Sequence, residues 1–518
     1  MIKYTSQNQI KLELFEHPFE RALDKSNRWV KLSELIPWDN LAALYSKKLQ
    51  SDSGRESVDI RTVLAALIIK HKLRLSDRGT IEMIQENVYL QYFCGLDGFT
   101  TKAVFDPSLF VDIRKRMGND EFAKFNEYII EVSEGLKPHQ ARIKQNSRKS
   151  KNEENNGDSQ PPATTDEAKA DTSEAPGDLP KNKGSLKVDA TVADQEIRYP
   201  NDVALLNDCR LNLERMIKRL YSPSIDGKRP RLYQRKAHKA YLSFAKKRRK
   251  TKKEIRRAMK AQLQYVRRDL KVINKMLLAD NRVVKLDEQD ENMLANIQLI
   301  YEQQKWMYDN KTHSVANRIV SLFQPQVRPI VRGKDKNKVE FGAKINVSLV
   351  DGFVRIDQLS WDAFNEGTYL IEQVENYRSI YGCYPAEVLA DAIYMNTKNR
   401  KYLKERNIKT LTKPLGRPPK KQKETAQQKY RKKKKAAKRN QVEGKFGQGK
   451  RGYGLNNIKA RLPETSESWI NAIMFVMNLT TLLQMAEKYG KFFIHFFIHS
   501  FFQIQTQIFY NKLRFELR

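Results

Sequence analysis

Three acidic residues stand out for the places they occupy in the sequence: Asp189, Asp391 and Glu443. Asp189 lies in Lys187-Val188-Asp189-Ala190-Thr191-Val192, part of a run that predicts a strand over 185–193. A carboxylate on a central strand is costly to bury unless it is paired or binds a metal. Asp391 follows Val388-Leu389-Ala390, a short apolar strand predicted over 387–390 that delivers it at its end. Ligands of α/β sheets gather at the carboxyl ends of strands, so two aspartates on neighbouring strand ends could share a cation. Mg²⁺ prefers carboxylate oxygens and retained waters. Two such ions about 4 Å apart can stabilise both the entering and the leaving oxygen of an in-line phosphoryl transfer. Glu443 is the candidate third carboxylate. It follows a dense basic run and shares its segment with Arg439 and Lys450, cations that could grip the phosphates flanking a scissile bond. On pattern alone Asp194, Asp202, Asp357 and Asp362 compete with these three.

The bulk composition favours a polyanion as partner. The 518 residues carry 96 Lys and Arg against 61 Asp and Glu, a formal net charge of +35. Such a surplus repels itself and makes sense when a polyanion shares the surface, with nucleic acid the first candidate and an anionic membrane the second. The three cysteines, Cys94, Cys209 and Cys383, form no CxxC pair, which argues against a zinc ribbon or a disulfide framework and for buried thiols. His238, His313, His495 and His499 show no metal-ligand pairing with cysteine. The N-terminus lacks the apolar core of a signal peptide. The stretch 469–485 is apolar, but Asn471, Asn478 and Gln484 interrupt it, so a buried core helix is expected rather than a membrane span. Trp361 and Trp469 could stack on a flipped base, but core packing is the ordinary use of such residues.

Several elements must position the three carboxylates. Residues 19–135 read as a helical unit. Val63, Leu64, Leu67 and Ile68 form one stripe; Ile81, Ile84 and Val88 form a second, which begins at Ser76. Around the turn 72–76 these predict either a helix-turn-helix or a small bundle that only packs or dimerises. Residues 140–184 hold almost no large apolar side chains and read as a disordered linker. A long helical region is expected over 203–323, where Leu263, Val266, Leu270, Ile273 and Leu277 repeat as a coiled seam beside a basic flank that includes Arg248 and Arg249. That flank is either a solvated face or a phosphate contact. Strands over 341–350 and 353–359 meet at Asp351-Gly352, a hairpin signal. A helix over 369–380 and a strand over 408–411 follow. The basic run 413–439 includes Lys432, Lys433, Lys434 and Lys435, expected to neutralise backbone phosphates. Its segment Gly416-Arg417-Pro418 resembles a minor-groove hook or serves as a stiff loop. An apolar helix is expected over 470–483, and a Phe-rich tail follows from 491 to 518.

Joint motifs resemble one family. Lys187 to Val192 with Ile197-Arg198-Tyr199-Pro200-Asn201-Asp202 resembles the first-aspartate block of bacterial insertion-sequence transposases of the DDE type. The blocks 327–334, 339–344 and 362–367 resemble the same family, and Leu389-Ala390-Asp391-Ala392-Ile393-Tyr394 resembles its second-aspartate block. Arg439-x3-Glu443-x6-Lys450 matches the Arg, Glu and Lys of the family's Tyr-Arg-Glu-Lys signature, whose Tyr falls here at Ala436. The N-terminal unit, with Leu75-Ser76-Asp77-Arg78 and Tyr92-Phe93-Cys94-Gly95-Leu96, is also similar to that family's.

The resemblance implies an α+β multidomain chain. Its parts would be a helical DNA-binding or dimerisation domain (1–139), a linker (140–184), the first strand of a ribonuclease-H-like mixed-sheet core (185–202), a basic helical insertion (203–323), the remainder of the core (324–490) and the tail (491–518). It implies catalysis and metal binding by Asp189, Asp391 and Glu443 with two Mg²⁺ ions, Mn²⁺ being able to substitute. Arg439, Lys450, Arg417, Lys432 to Lys435, Arg248 and Arg249 would contact DNA. The partners would be transposon-end and target DNA, handled by a cytoplasmic, nucleoid-associated homodimer without membrane or small-molecule substrate. A metal-dependent nuclease on the same fold, or an inactive DNA-binding protein, is the alternative.

Overall fold

A computed structural model describes residues 3–6, 16, 22–49, 56–136, 181–279, 284–331, 339–410 and 425–516, without the side chains of 428–429, 431–436 and 490–516. The expected linker lies almost wholly outside these residues. Among the described residues seven helices come first: α1 (Arg28–Leu35), α2 (Trp38–Ser46), α3 (Ile60–Leu73), α4 (Asp77–Glu86), α5 (Val88–Phe93), α6 (Leu109–Arg116) and α7 (Asn119–Gly135). Strand β1 (Ser185–Asp194) opens the sheet. A module of α8 (Asp202–Leu220), α9 (Pro223–Asp226), α10 (Gln234–Ala245), α11 (Lys252–Leu277) and α12 (Glu288–Asp309) intervenes. The sheet resumes with β2 (Arg328–Val331), β3 (Val339–Val350) and β4 (Phe353–Ser360), then α13 (Leu370–Tyr381), β5 (Glu387–Leu389), α14 (Thr397–Glu405) and β6 (Lys409–Thr410). Two long helices close the chain, α15 (Ala426–Gly452) and α16 (Pro463–Glu516). The fold is thus α+β with a mixed sheet, as the sequence led us to expect.

β1 is the centre of the sheet. It pairs antiparallel with β3 and parallel with β5, which pairs parallel with β6; β2 and β4 both lie on the far side of β3. The predicted β3–β4 hairpin forms with Asp351 (φ 49°) and Gly352 (φ 92°) both left-handed, the signature of a two-residue turn matched to strand twist. The short strand β2 falls in the block 327–334, which carried no strand expectation. The helices over 202–309 lie in sequence between β1 and β2 and bury a core of their own: Leu263, Val266, Leu270 and Ile273 of α11 pack with Leu206, Leu213 and Ile217 of α8. Leu277, expected in that seam, is exposed because the helix ends there.

One face of the sheet (Leu186, Val188, Ala190, Val388) packs under α13 and α14. The other face (Ile345, Val347, Val354) joins a single core with α16, α15 and the N-terminal helices. Helix α3 runs buried from Ile60 to His71, and α16 buries Ile470 to Met477. The apolar 469–485 stretch is therefore a core helix, and its backbone continues helically without a break past residue 490. The α3–α4 turn does have helix-turn-helix shape. Its second helix, however, exposes Arg78, Glu82 and Glu86, a face with more acid than base. The turn is locked inward: Asp77 takes a bidentate pair from Arg114 (3.0 and 2.9 Å) and a bond from Lys70 (2.7 Å), and both cations lie against the Trp469 ring. This favours the packing bundle over a groove-reading helix.

Asn478 joins these layers. Fully buried on α16, its side chain accepts from Val354 N–H (2.8 Å) and donates to the Val354 carbonyl (2.7 Å) and to Asn126 Oδ1 on α7 (2.8 Å). We expect Asn478→Ala to cost about 2–3 kcal/mol, because two backbone groups of Val354 lose their partners inside the core. Denaturant unfolding of the full chain measures this.

Candidate active site

The pairing of β1 with β5 sets the geometry. Lys187 is in register with Leu389. Asp189 and Asp391 each lie two residues further on, so they stand level on adjacent chains. Neighbouring strands lie about 4.8 Å apart and side chains alternate with a period of two, so the two aspartates also address the same face. Asp189 is opposite Val347, which identifies that face as the one covered by α15 and α16. The expectation of two strand ends needs one correction. Asp391 does follow its strand, but Asp189 sits in mid-strand, because β1 continues to Asp194 to pair with β3.

Asp189 is half-buried, and its Oδ1 accepts from Ala190 N–H (2.8 Å). Asp391 is held by the turn that follows it. Tyr394, fully buried, donates to Asn346 Oδ1 on β3 (2.6 Å), and buried Asn399 donates to the Tyr394 carbonyl (2.7 Å) and the Gly367 carbonyl (2.6 Å). Burial and nearby carboxylates raise the Tyr394 phenol above its ordinary range, so it acts as a donor. The turn also explains Gly367: a Cβ there would lie 2.5 Å from the Ile393 carbonyl oxygen.

Glu443 arrives on α15, whose neighbours Val442 and Phe446 are buried in the core below the sheet. Arg439, one turn earlier, pairs with Asp391 and lies 3.4 Å from Glu443, so one guanidinium bridges two of the three carboxylates. Lys438 reaches Glu387 (2.9 Å), and Lys450 reaches Asp194 (3.2 Å) and Glu340 (3.3 Å). In this arrangement Arg439 and Lys450 grip the sheet's own acids. Nearby, Lys445 donates to Thr481 (2.7 Å) and is pushed down to about 8 by burial.

The donor set is carboxylate oxygen throughout, the chemistry a hard divalent ion such as Mg²⁺ requires. Among the described residues no three acidic, histidine or cysteine side chains already gather at ion-holding distance. Arg439 supplies the positive charge between Asp391 and Glu443. For an ion to bind, that guanidinium must turn away.

The competing aspartates have structural partners. Asp194 meets Lys450, Asp202 meets Arg318, and Asp362 lies 3.4 Å from Arg328. Asp357 is buried on β4, accepting from Ser348 and from Gln373 (2.8 Å), and burial pushes its carboxyl up to about 6. Trp469 packs edge-on against His71, and Trp361 donates to Glu467 (2.8 Å). The three cysteines are buried and free. Arg248 and Arg249 are exposed where α10 gives way to α11. Arg417 lies outside the described residues, as do the side chains of Lys432, Lys433, Lys434 and Lys435. Tyr394, Asn346, Asn399 and Lys445 were not singled out from sequence. Only Tyr394 left a signal there, three residues after Asp391 in the second-aspartate block.

Two family models match parts of the chain. Residues 388–480 match the family described as transposase DDE domain, and residues 17–116 match the family described as transposase domain (DUF772). The chain is 30% identical over 108 residues to the uncharacterized protein ORF8 in the nfe locus of Rhizobium meliloti, covering 21% of this chain and 52% of that protein. The chain thus spans about half the length of that curated relative. No solved structure matches. One transposase domain family thus matches over the N-terminal helices and another over the segment that holds β5, α15 and the start of α16, and together they support a DDE-type insertion-sequence transposase.

Asp357 makes a pH test of the site's supporting wall. Its carboxyl is raised in the folded state, from the ordinary 3.8 to about 6, so its contribution is full below about pH 4 and is lost as pH rises through 6. We expect Asp357→Asn to flatten the fall in stability between about pH 4 and 6, as read from denaturation midpoints across that window.

Proposed function

We propose that this chain cuts transposon-end DNA and joins the freed 3′-hydroxyl to target DNA, with Asp189, Asp391 and Glu443 as the catalytic carboxylates. The observation that carries the reading is the β1–β5 register, which sets Asp189 level with Asp391 on the face that α15 covers with Glu443. Three antiparallel strands followed by two parallel to the first support a ribonuclease-H-like core. Divalent ions bound by the three carboxylates, two Mg²⁺ in this reading, would activate water and stabilise the entering and leaving oxygens of phosphoryl transfer.

The chain's own residues do the rest. Tyr394, through Asn346, and Asn399 fix the turn that aims Asp391. Arg439, on turning from Asp391 and Glu443, meets a phosphate beside the scissile bond. Lys450, Arg417 and Lys432 to Lys435 add backbone contacts along the basic helix and the segment before it. Arg248 and Arg249 extend the contact onto the insertion. In this reading the protein acts in the cytoplasm as a homodimer on two DNA ends, and its domains follow the division 1–139, 140–184, 185–202, 203–323, 324–490 and 491–518.

Two experiments test it. Asp189→Asn, Asp391→Asn and Glu443→Gln should each lower Mg²⁺-dependent strand cleavage by about a thousandfold or more while end binding survives. Full cleavage by any of them removes that residue from the site. The doubly substituted Arg248→Gln, Arg249→Gln chain should bind DNA with a shallower salt dependence. If each arginine meets one phosphate, the slope of log affinity against log salt drops by about 2. An unchanged slope places the insertion tip away from DNA.

A further inference from the structure

A second site opens just beyond the strand that carries Asp189. Where β1 ends, the chain turns between the sheet and the helical insertion and leaves a cleft of about 400 Å³. Its lining includes Tyr199, Phe323, Arg198, Arg461, Glu196 and Asp208. Two of these are aromatic rings left largely in solvent, Tyr199 at 81% exposure and Phe323 at 54%. Tyr199 touches Phe341 only edge-on, at 5.8 Å between ring centres, which leaves ring surface open. The two tryptophans weighed earlier for base stacking are engaged elsewhere, with His71 and Glu467.

The cleft is rigidly built. Glu196 N–H donates to the Ile458 carbonyl (2.9 Å), and Gln195 N–H donates to the Phe341 carbonyl (2.8 Å). Gln324 donates to the Glu196 carbonyl (3.1 Å), and Gln326 to the Arg461 carbonyl (2.8 Å). Three separate segments are thus fastened around the opening. The charges are mixed. Arg198 pairs with Asp208 (2.9 Å), and burial raises the Asp208 carboxyl above its ordinary value. Arg461 has no ion-pair partner among the described residues.

We propose that this cleft binds one unpaired nucleotide of a DNA strand, with the base against Tyr199 and Phe323. Stacking on open aromatic rings accepts any base, because every base has a π face. The carboxylates of Glu196 and Asp208 repel phosphate, so the base and not the backbone enters, and they can accept from an exocyclic amino group. Arg461 at the rim meets the backbone phosphate. The cleft lies past Asp194, five residues or about 17 Å along β1 from Asp189. A strand passing Asp189 therefore reaches it within a few nucleotides. The inference rests on the reading that this chain binds DNA.

The test uses the full chain and two duplexes of one sequence, one fully paired and one with a short single-stranded gap carrying the fluorescent base 2-aminopurine. The wild-type chain should prefer the gapped duplex, and binding should quench the 2-aminopurine signal. Tyr199→Ala and Phe323→Ala should each cut that preference by about tenfold and relieve the quench, with paired-duplex affinity unchanged. Tyr199→Phe, which keeps the ring, should behave as wild type. Both side chains are exposed, so their loss opens no core. The proposal is overturned if the alanine variants keep preference and quench, if they weaken both duplexes equally, or if the wild-type chain binds paired DNA with no preference for the gap. Failure of the wild-type chain to bind the paired duplex overturns the DNA-binding reading and this proposal with it.

Discussion

The structure depends on the pairing of β1 between two strands that reach it from much later in the sequence. Its antiparallel neighbour β3 begins more than a hundred residues further on, after a complete helical module, and its parallel neighbour β5 comes later still. Closing such loops costs entropy that grows only slowly with length, so an insertion with a core of its own is tolerated. The start of β1 is held by contacts that only its native place offers. Tyr377 donates to the Lys183 carbonyl (2.8 Å), and Gly184, at φ 74°, passes so close to the Tyr377 hydroxyl that a Cβ would lie 2.3 Å from it. A one-residue slip would move Asp189 to the opposite face, against Leu370, Val374 and Tyr377. Register therefore determines both the core and the site.

Helix α15 shows how a basic segment can be fixed on an acidic edge. Lys438, Arg439 and Lys450 each meet carboxylates on the sheet. These pairs are partly exposed, and such pairs contribute little to stability once solvent and salt screen them. Burial of Val442 and Phe446 holds the helix down and fixes its rotation; the ion pairs add little to it. Glu443 lies between those two apolar anchors, on the exposed flank, so its direction is set by packing rather than by charge. The N-terminal helices take part at one remove. They share a core with α16, which lies on the same sheet face.

Much of this was legible in the sequence because it is local. Asp351-Gly352 could form only a tight hairpin, and it did. Alternating and apolar runs marked β1, β3, β4 and β5 within a residue or two, and the helical pattern over 203–323 marked the insertion. What stayed hidden was tertiary. Asp189, Asp194 and Asp357 are all strand carboxylates in sequence, and only pairing and burial separate them: Asp194 under Lys450, Asp357 sealed beneath Ser348 and Gln373. Asn346 and Asn399 share no visible role in the sequence until Tyr394 is placed between them. The turn at 72–76 left a helix-turn-helix and a packing bundle both open for the same reason. Its amphipathic pattern specified two packed helices, and which face stays exposed depends on Trp469, nearly four hundred residues away.

Arg439 draws these strands of argument together. The sequence suggested a phosphate ligand; the structure shows a guanidinium between Asp391 and Glu443. The two roles are compatible, because the interaction is the same in kind. An arginine that pairs with carboxylate in a planar fork pairs equally with phosphate. Without it, Asp391 and Glu443 would be like charges on one face with no guanidinium between them. The residue is only partly exposed, and its partners are more exposed than it is, so exchange of one anion for another needs a side-chain rotation and no movement of the helix. A fixed helix with one partly exposed guanidinium is thus sufficient to hold Asp391 and Glu443 together.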